Sequence, residues 1–208
     1  MQPTLAETLW PDASSPTVMR VVRNVILAIV GSLFVALSAQ VVVPLWPVPV
    51  TGQTFAVLVV GMAFGWRLGG ATLILYLIEG AVFNLPVFAK GAAGFAALAA
   101  PSGGFIVGFI FAAVIIGYLA ELGWDRNVWL AAAAMLIGNI VLYIPGLIWL
   151  TMFYAGPGAQ SIAATGANTA MSAAIAGGLM PFLVGDALKL ALAAVLFPVA
   201  WRLFSKER

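Results

Sequence analysis

Apolar runs of about twenty residues recur along this chain with almost no ionic side chain inside them, the length an α-helix needs to cross the roughly 30 Å hydrocarbon core of a bilayer. Backbone amides find no water there, so a chain of this kind folds as a bundle of helices. Of its 208 residues 63% are apolar and only 8% charged, against roughly half and a quarter in a soluble domain. We therefore expect an all-α, multi-pass protein of the cytoplasmic membrane, with the lipid bilayer as its first partner and no nucleic-acid role. The chain contains no His and no Cys, which removes the usual catalytic triads, zinc and haem ligands and any disulfide framework. Neither a metal site nor a resident cofactor is expected, and no enzyme.

The charged and proline-rich interruptions divide the chain. Residues 1–19, with Glu7, Asp12 and three prolines, read as a cytoplasmic N-terminal tail without regular structure. Residues 20–208 read as a domain of six spans, at about 24–43, 54–66, 68–83, 105–122, 128–150 and 181–204. Pro181 suits the first turn of the last helix, although a start near Ala173 with a proline kink is an alternative. Pro44, Pro47 and Pro49 make the stretch after the first span a loop or re-entrant segment. The glycine-rich stretch from Leu85 to Gly104 is too irregular for a membrane helix and too apolar for a solvated loop, so it is expected to fold back into the protein. Between Met152 and Met180 a short helix is expected over about 161–176.

Six spans bring both termini to one side. Arg20, Arg23, Arg67, Arg126, Arg202, Lys206 and Arg208, seven of the nine basic residues, fall on that side, and Lys90 alone falls in the opposite connections. By the positive-inside rule the basic side is cytoplasmic.

Ionisable groups inside such a chain are expensive and point to function. Asp186 and Lys189 stand three apart, on one face of the last helix. They form either an ion pair that pins the helix or the polar end of a pocket open to the outside. Glu79 is a carboxyl inside the third span, suited to a buried hydrogen bond, to a partner for Lys90 or Lys189, or to a proton relay. Lys90 either snorkels to water or receives an anionic ligand. Thr51, Gln53 and Asn84 are hydrogen-bonding groups at the outer ends of spans, and Tyr143 adds a hydroxyl on the fifth. Together they suggest a cleft for a small molecule bearing amide-like groups. Ala28, Ser32 and Ala36 form a small-residue row on the first span that permits close approach, within the chain or to a partner. The chain carries no phosphate-loop motif, so any ATP-driven action needs another subunit.

Three segments, VVVPLWPVPVTGQTFAVLVVGMAFG, EGAVFNLPVFAKGAAGFAALAAPSGGFIVGF and MPFLVGDALKLALAAVL, occur in that order. Their PVPVT loop, LPVFA segment with its PxGG end, and GDxxK pair closely resemble the BioY family, the biotin-specific S components of energy-coupling factor transporters. The resemblance covers about residues 38–200. It implies an S-component fold and capture of biotin from outside, with Asp186 and Lys189 in the pocket and the loops after spans 1 and 3 closing over the vitamin. Thr51 and Gln53 match the first loop, and Asn84, Phe88 and Lys90 the second. In this reading Asp186 accepts from the ureido N–H groups, Lys189 or Asn84 donates to the ureido oxygen, and Lys90 meets the carboxylate. The resemblance also implies a transmembrane coupling subunit, docked on Ala28, Ser32 and Ala36, and two ATPases. The alternatives are a self-sufficient transporter using Glu79 or Asp186 as a proton carrier, and a structural membrane protein in which the Asp186–Lys189 pair only packs.

Overall fold

The computed structural model describes residues 1–11 and 17–205; Lys206 and Arg208, placed on the basic side above, lie outside the described residues. The fold is almost entirely helical. Helix α1 spans Leu5–Leu9 and α2 spans Thr17–Ala39. A two-residue antiparallel pair follows, β1 (Val42–Val43) with β2 (Val50–Thr51), Val42 opposite Thr51. The longer elements are α3 (Gln53–Ala81), α5 (Gly103–Glu121), α6 (Val128–Ala155) and α8 (Leu183–Ser205), with the short α4 (Gly94–Ala99) and α7 (Ala170–Gly178) between them. Five helical runs among the described residues are long and apolar enough to cross a membrane, the last running from Ala170 to Leu203 through α7 and α8.

One of these runs, α3, doubles back on itself. Gly65 sits at φ 77° and ψ 177°, a conformation essentially reserved for glycine. A Cβ placed on Gly69 would lie 3.1 Å from the Gly61 Cα, whereas residues eight apart in a straight helix stand about 12 Å apart. Residues 53–64 and 66–81 are therefore two antiparallel helices joined by a tight turn. The sequence reading put the break at Arg67; the chain breaks at Gly65, and Arg67 already belongs to the returning helix. Helix α5 packs into this hairpin at backbone distance, with a Gly61 Cβ only 2.9 Å from the Ala113 Cα and a Gly117 Cβ overlapping the Gly65 carbonyl carbon. Small residues are what permit such contact between membrane helices.

The other differences lie in where the helices begin and end. Helix α2 starts at Thr17, before Arg20 and Arg23, and stops at Ala39 because the chain turns into β1. Helix α6 runs on to Ala155 through Pro145. The expected helix over 161–176 is instead two 3₁₀ turns, Ala159–Ser161 and Ala163–Thr165, followed by α7. Met180–Phe182 is a further 3₁₀ turn, so Pro181 stands just before α8. Within the N-terminal tail, Leu5–Leu9 is helical under a reciprocal Thr4–Glu7 capping box.

The core has two parts. An inner cluster, including Leu58, Met62, Ile116, Met135 and Phe197, holds α3, α5, α6 and α8 together. An outer cluster of Val35, Tyr76, Phe88, Phe105, Phe182 and others surrounds the other end of the bundle. At the end of the bundle beside the first cluster, Gln2 N–H donates to the Glu121 carbonyl, and Glu121 Oε1 accepts from Trp66 N–H beside the Gly65 turn. The Arg126 guanidinium lies 4.4 Å over the Trp201 ring. The N-terminal segment, the α3 turn, the α5–α6 turn and the end of α8 thus meet, bringing Arg67, Arg126 and Arg202 to one end of the molecule.

Candidate functional site

A cavity open at its mouth lies at the opposite end of the bundle. The β1–β2 hairpin supplies Val48, Pro49 and Thr51, and the first turn of α3 supplies Gln53 and Thr54. The connection after α3 supplies Phe88, Ala89 and Ala92, and α5, α6 and α8 supply Phe105, Phe109, Leu142, Tyr143 and Lys189, with Phe182 just ahead of α8. The stretch from Leu85 to Gly104 folds back to build this wall. Phe88 is 1% exposed because Gly80 leaves room for its ring; a Cβ there would overlap it. Phe105 stands edge-on to Tyr143 at 6.0 Å and stacks on Phe182 at 6.4 Å. The result is an apolar chamber with its polar groups gathered in one place.

That place is built around Lys189. Its Nζ donates to the Thr51 carbonyl at 2.8 Å, to Thr54 Oγ1 at 2.8 Å and to Asp186 Oδ1 at 3.3 Å. Tyr143 donates its hydroxyl proton to Asp186 Oδ2, and Thr54 Oγ1 lies 3.4 Å from Asp186 Oδ1. Asp186 is 5% exposed and stands behind Lys189 and Tyr143, off the lining itself. The ion pair therefore has the additional hydrogen bonds that a buried pair needs if it is not to be a net cost. Thr54 links both of its members, and no sequence signal singled Thr54 out beyond its place one residue after Gln53.

Thr51 and Gln53 do reach the cavity, and they begin a second network. Thr51 Oγ1 donates to Gln53 Oε1 at 3.0 Å, Gln53 Nε2 donates to the Tyr76 hydroxyl at 2.7 Å, and that hydroxyl donates to the Val87 carbonyl at 2.9 Å. Of the residues expected at the site, Thr51, Gln53, Phe88, Tyr143 and Lys189 line the cavity, and Asp186 backs it.

Asn84, Lys90 and Glu79 are not on the wall. Asn84 is exposed at φ 56°, a left-handed turn residue of the kind for which Asn is suited. Lys90 is likewise exposed, at φ 59°, between the lining residues Ala89 and Ala92. Glu79 faces α2, where its Oε1 accepts from Ser32 Oγ at 3.1 Å. The small-residue row of α2 turns inward as well. Ser32 and Ala36 are buried within the chain, Ala28 is half-buried, and neighbouring Gly31 packs against Phe64 and Thr72. The row is used to seat α2 on α3, and the exposed face of α2 is instead Val25, Ile29, Leu33 and Leu37.

Similarity to known proteins agrees with this layout. The model of the BioY family matches residues 8–206. The probable biotin transporter BioY of Pyrococcus horikoshii is 35% identical, covering 79% of this chain and 90% of its own. The biotin transporter BioY of Rhizobium etli is 34% identical, with 83% and 89% covered, and that of Thermotoga maritima 32%, with 84% and 93%. Among solved structures, the S-component for biotin from an ECF-type ABC transporter superimposes with a TM-score of 0.73 over 90% of this chain and 95% of that one, at 22% identity, and shares the fold. With nearly its whole length matched and its marker segments gathered around one cavity, this chain belongs to the BioY family.

Proposed function

We propose that this protein captures biotin and takes it across the cytoplasmic membrane as the substrate-binding subunit of an energy-coupling factor transporter. The observation that carries the reading is the cavity itself, an aromatic and aliphatic chamber with Asp186, Lys189, Tyr143 and Thr54 joined at one side. Biotin has a ureido ring with two N–H donors and a carbonyl acceptor, an apolar sulfur ring, and a carboxylate on a flexible chain. Lys189 and Tyr143, which line the cavity with Asp186 behind them, face the polar ureido ring, Lys189 donating to its oxygen and Asp186 fixing both groups. Phe88, Phe105, Phe109 and Phe182 take the apolar parts. Lys90, at the rim between two lining residues, meets the carboxylate.

In this reading the chain crosses the membrane six times, the two halves of α3 counting separately, with the basic end in the cytoplasm and the cavity facing out. A transmembrane coupling subunit and two ATPases supply the energy. The inward-facing Ala28, Ser32 and Ala36 leave the exposed face of α2 as the surface for such a subunit.

Equilibrium binding of biotin to the purified chain in detergent tests the function. Tight native binding, with nanomolar affinity equivalent to about −12 kcal/mol, should be lost in both Asp186→Asn and Lys189→Met at matched folding. Absence of native binding, or binding indifferent to both substitutions, refutes it. Uptake that collapses with an uncoupler and persists without any ATPase would replace the coupling subunits with a proton gradient.

A further inference from the structure

The two chain segments that cover the cavity come from different places. The first is the β1–β2 hairpin with Thr51, and the second is the connection 82–93 with Phe88. Each meets the cavity with its own lining residues, and the link between them runs from Thr51 and Gln53 on the lining to a side chain beneath it. Tyr76 is fully buried on the returning half of α3 and is not a lining residue. It accepts from Gln53 and donates to the Val87 carbonyl, one residue before Phe88. Its ring also stands edge-on to Phe88 at 5.4 Å.

We infer that Tyr76 is a positioning residue for ligand capture, coupling the first covering segment to the second through the relay Thr51 Oγ1 to Gln53 to Tyr76 OH to the Val87 carbonyl. The inference rests on the reading of this cavity as the biotin site and adds a residue that does not touch the ligand.

The chemistry of the relay is directional. A phenol hydroxyl has one proton, and here it is committed to Val87 while the oxygen accepts from the Gln53 amide. Each hydrogen bond in such a chain polarises the next, so the links strengthen together in a low-dielectric interior. Gln53 is itself held by Thr51 on one side and Tyr76 on the other, and it is 5% exposed. Removing the hydroxyl leaves both a buried amide N–H and a buried carbonyl without their partner, which the chain can relieve only by moving one segment away from the other. Gln40 steadies the second segment independently, donating from Nε2 to the Phe88 carbonyl at 3.1 Å. Loss of Tyr76 should therefore uncouple the segments without releasing the second one altogether.

Tyr76→Phe keeps the ring against Phe88 and deletes only the hydroxyl. Biotin affinity should fall about tenfold, the cost of one buried hydrogen-bonded group. A merely structural hydroxyl could do the same, so the deciding measurement is a double-mutant cycle. Thr51→Val in the first segment and Phe88→Leu in the second are combined in the native and the Tyr76→Phe backgrounds. Their effects on the biotin dissociation constant should be non-multiplicative in the native background and multiplicative once Tyr76 is Phe. Unchanged affinity in Tyr76→Phe, or the same coupling in both backgrounds, overturns the inference.

A ligand-free measurement separates this from failure of the biotin reading. In the unliganded protein Thr51→Val should raise amide hydrogen exchange in residues 84–92, and Tyr76→Phe should abolish that response. If native protein does not bind biotin, the functional reading falls and the exchange experiment alone judges the relay. Exchange in 84–92 indifferent to Thr51→Val would end it.

Discussion

At the scale of single residues, the cavity wall depends on glycines as much as on the side chains that line it. Phe88 fits against Gly80 so closely that any Cβ at 80 overlaps its ring. Gly80→Ala must push Phe88 into the chamber or lift the connection that carries it. Overpacking of this kind costs roughly 1–3 kcal/mol. Biotin affinity should drop by about tenfold or more while the protein still folds, checked by ligand titration beside a thermal melt in detergent; affinity within twofold of native would show that the ring has room to turn aside. Asp186 and Lys189 were visible from the sequence because an ionic pair three residues apart stands out in an apolar helix. Thr54 and Tyr76 were not, since a lone hydroxyl has no signature until folding gives it partners. Asn84 and Lys90 stand out in the sequence for their polarity, and both occupy left-handed turn positions, a conformation for which Asn is suited.

At the scale of elements, the short turn between α5 and α6 is a joint. Gly123, at φ 88°, ends α5, and Asn127 caps α6 by accepting from the N–H groups of Trp129 and Leu130. Between them Asp125 is buried, with Oδ2 accepting from Trp201 Nε1 of α8 and Oδ1 without a hydrogen-bond partner among the described residues. Burial pushes its carboxyl above the usual aspartate value, opposed by the Trp201 hydrogen bond and by Arg126. The folded state then holds a proton that the unfolded chain has already released. Stability should therefore fall as pH rises from the ordinary aspartate value to the raised one, and stay level above it. Asp125→Asn keeps an acceptor for Trp201 and removes the titration, so its melting temperature should be flat across that acid window and no lower than native at pH 7. A variant that melts well below native at neutral pH would mean the carboxylate charge itself holds the joint.

A helical hairpin inside the membrane leaves little trace in a sequence. A tight helical hairpin needs one glycine at positive φ, and Gly65 is one of 22 glycines, so its neighbour Arg67 was the more visible mark. The Thr4–Glu7 capping box was present in the first residues but stood without the long apolar run that usually follows one.

For the whole molecule, the distribution of charge was the most legible feature, because the cost of an ionic group in lipid constrains every helix at once. Contacts among the N-terminal segment, the Gly65 turn, the α5–α6 turn and α8 gather Arg67, Arg126 and Arg202 at one end, with the cavity and Lys90 at the other. Orientation in the membrane can be read without background labelling, since the chain has no cysteine. In intact cells Lys90→Cys should react with a membrane-impermeant maleimide, and Arg126→Cys should react only after the membrane is opened. The reverse pattern would turn the cavity toward the cytoplasm and overturn capture from outside.

Lys189 has three ammonium protons, and all three are given to groups of the protein itself, Thr51, Thr54 and Asp186. On the proposed reading, a biotin oxygen that takes one of them displaces one of these acceptors, so capture at this point would be a swap of partners. The number of hydrogen bonds around the lysine stays constant, and the net gain must come from elsewhere, chiefly from the apolar surface the ligand removes from water. If the evicted acceptor is the Thr51 carbonyl, β2 loses its tether to α8 at the moment the cavity fills. On that reading the lysine would carry occupancy to the hairpin above it through the one contact that ties β2 to α8.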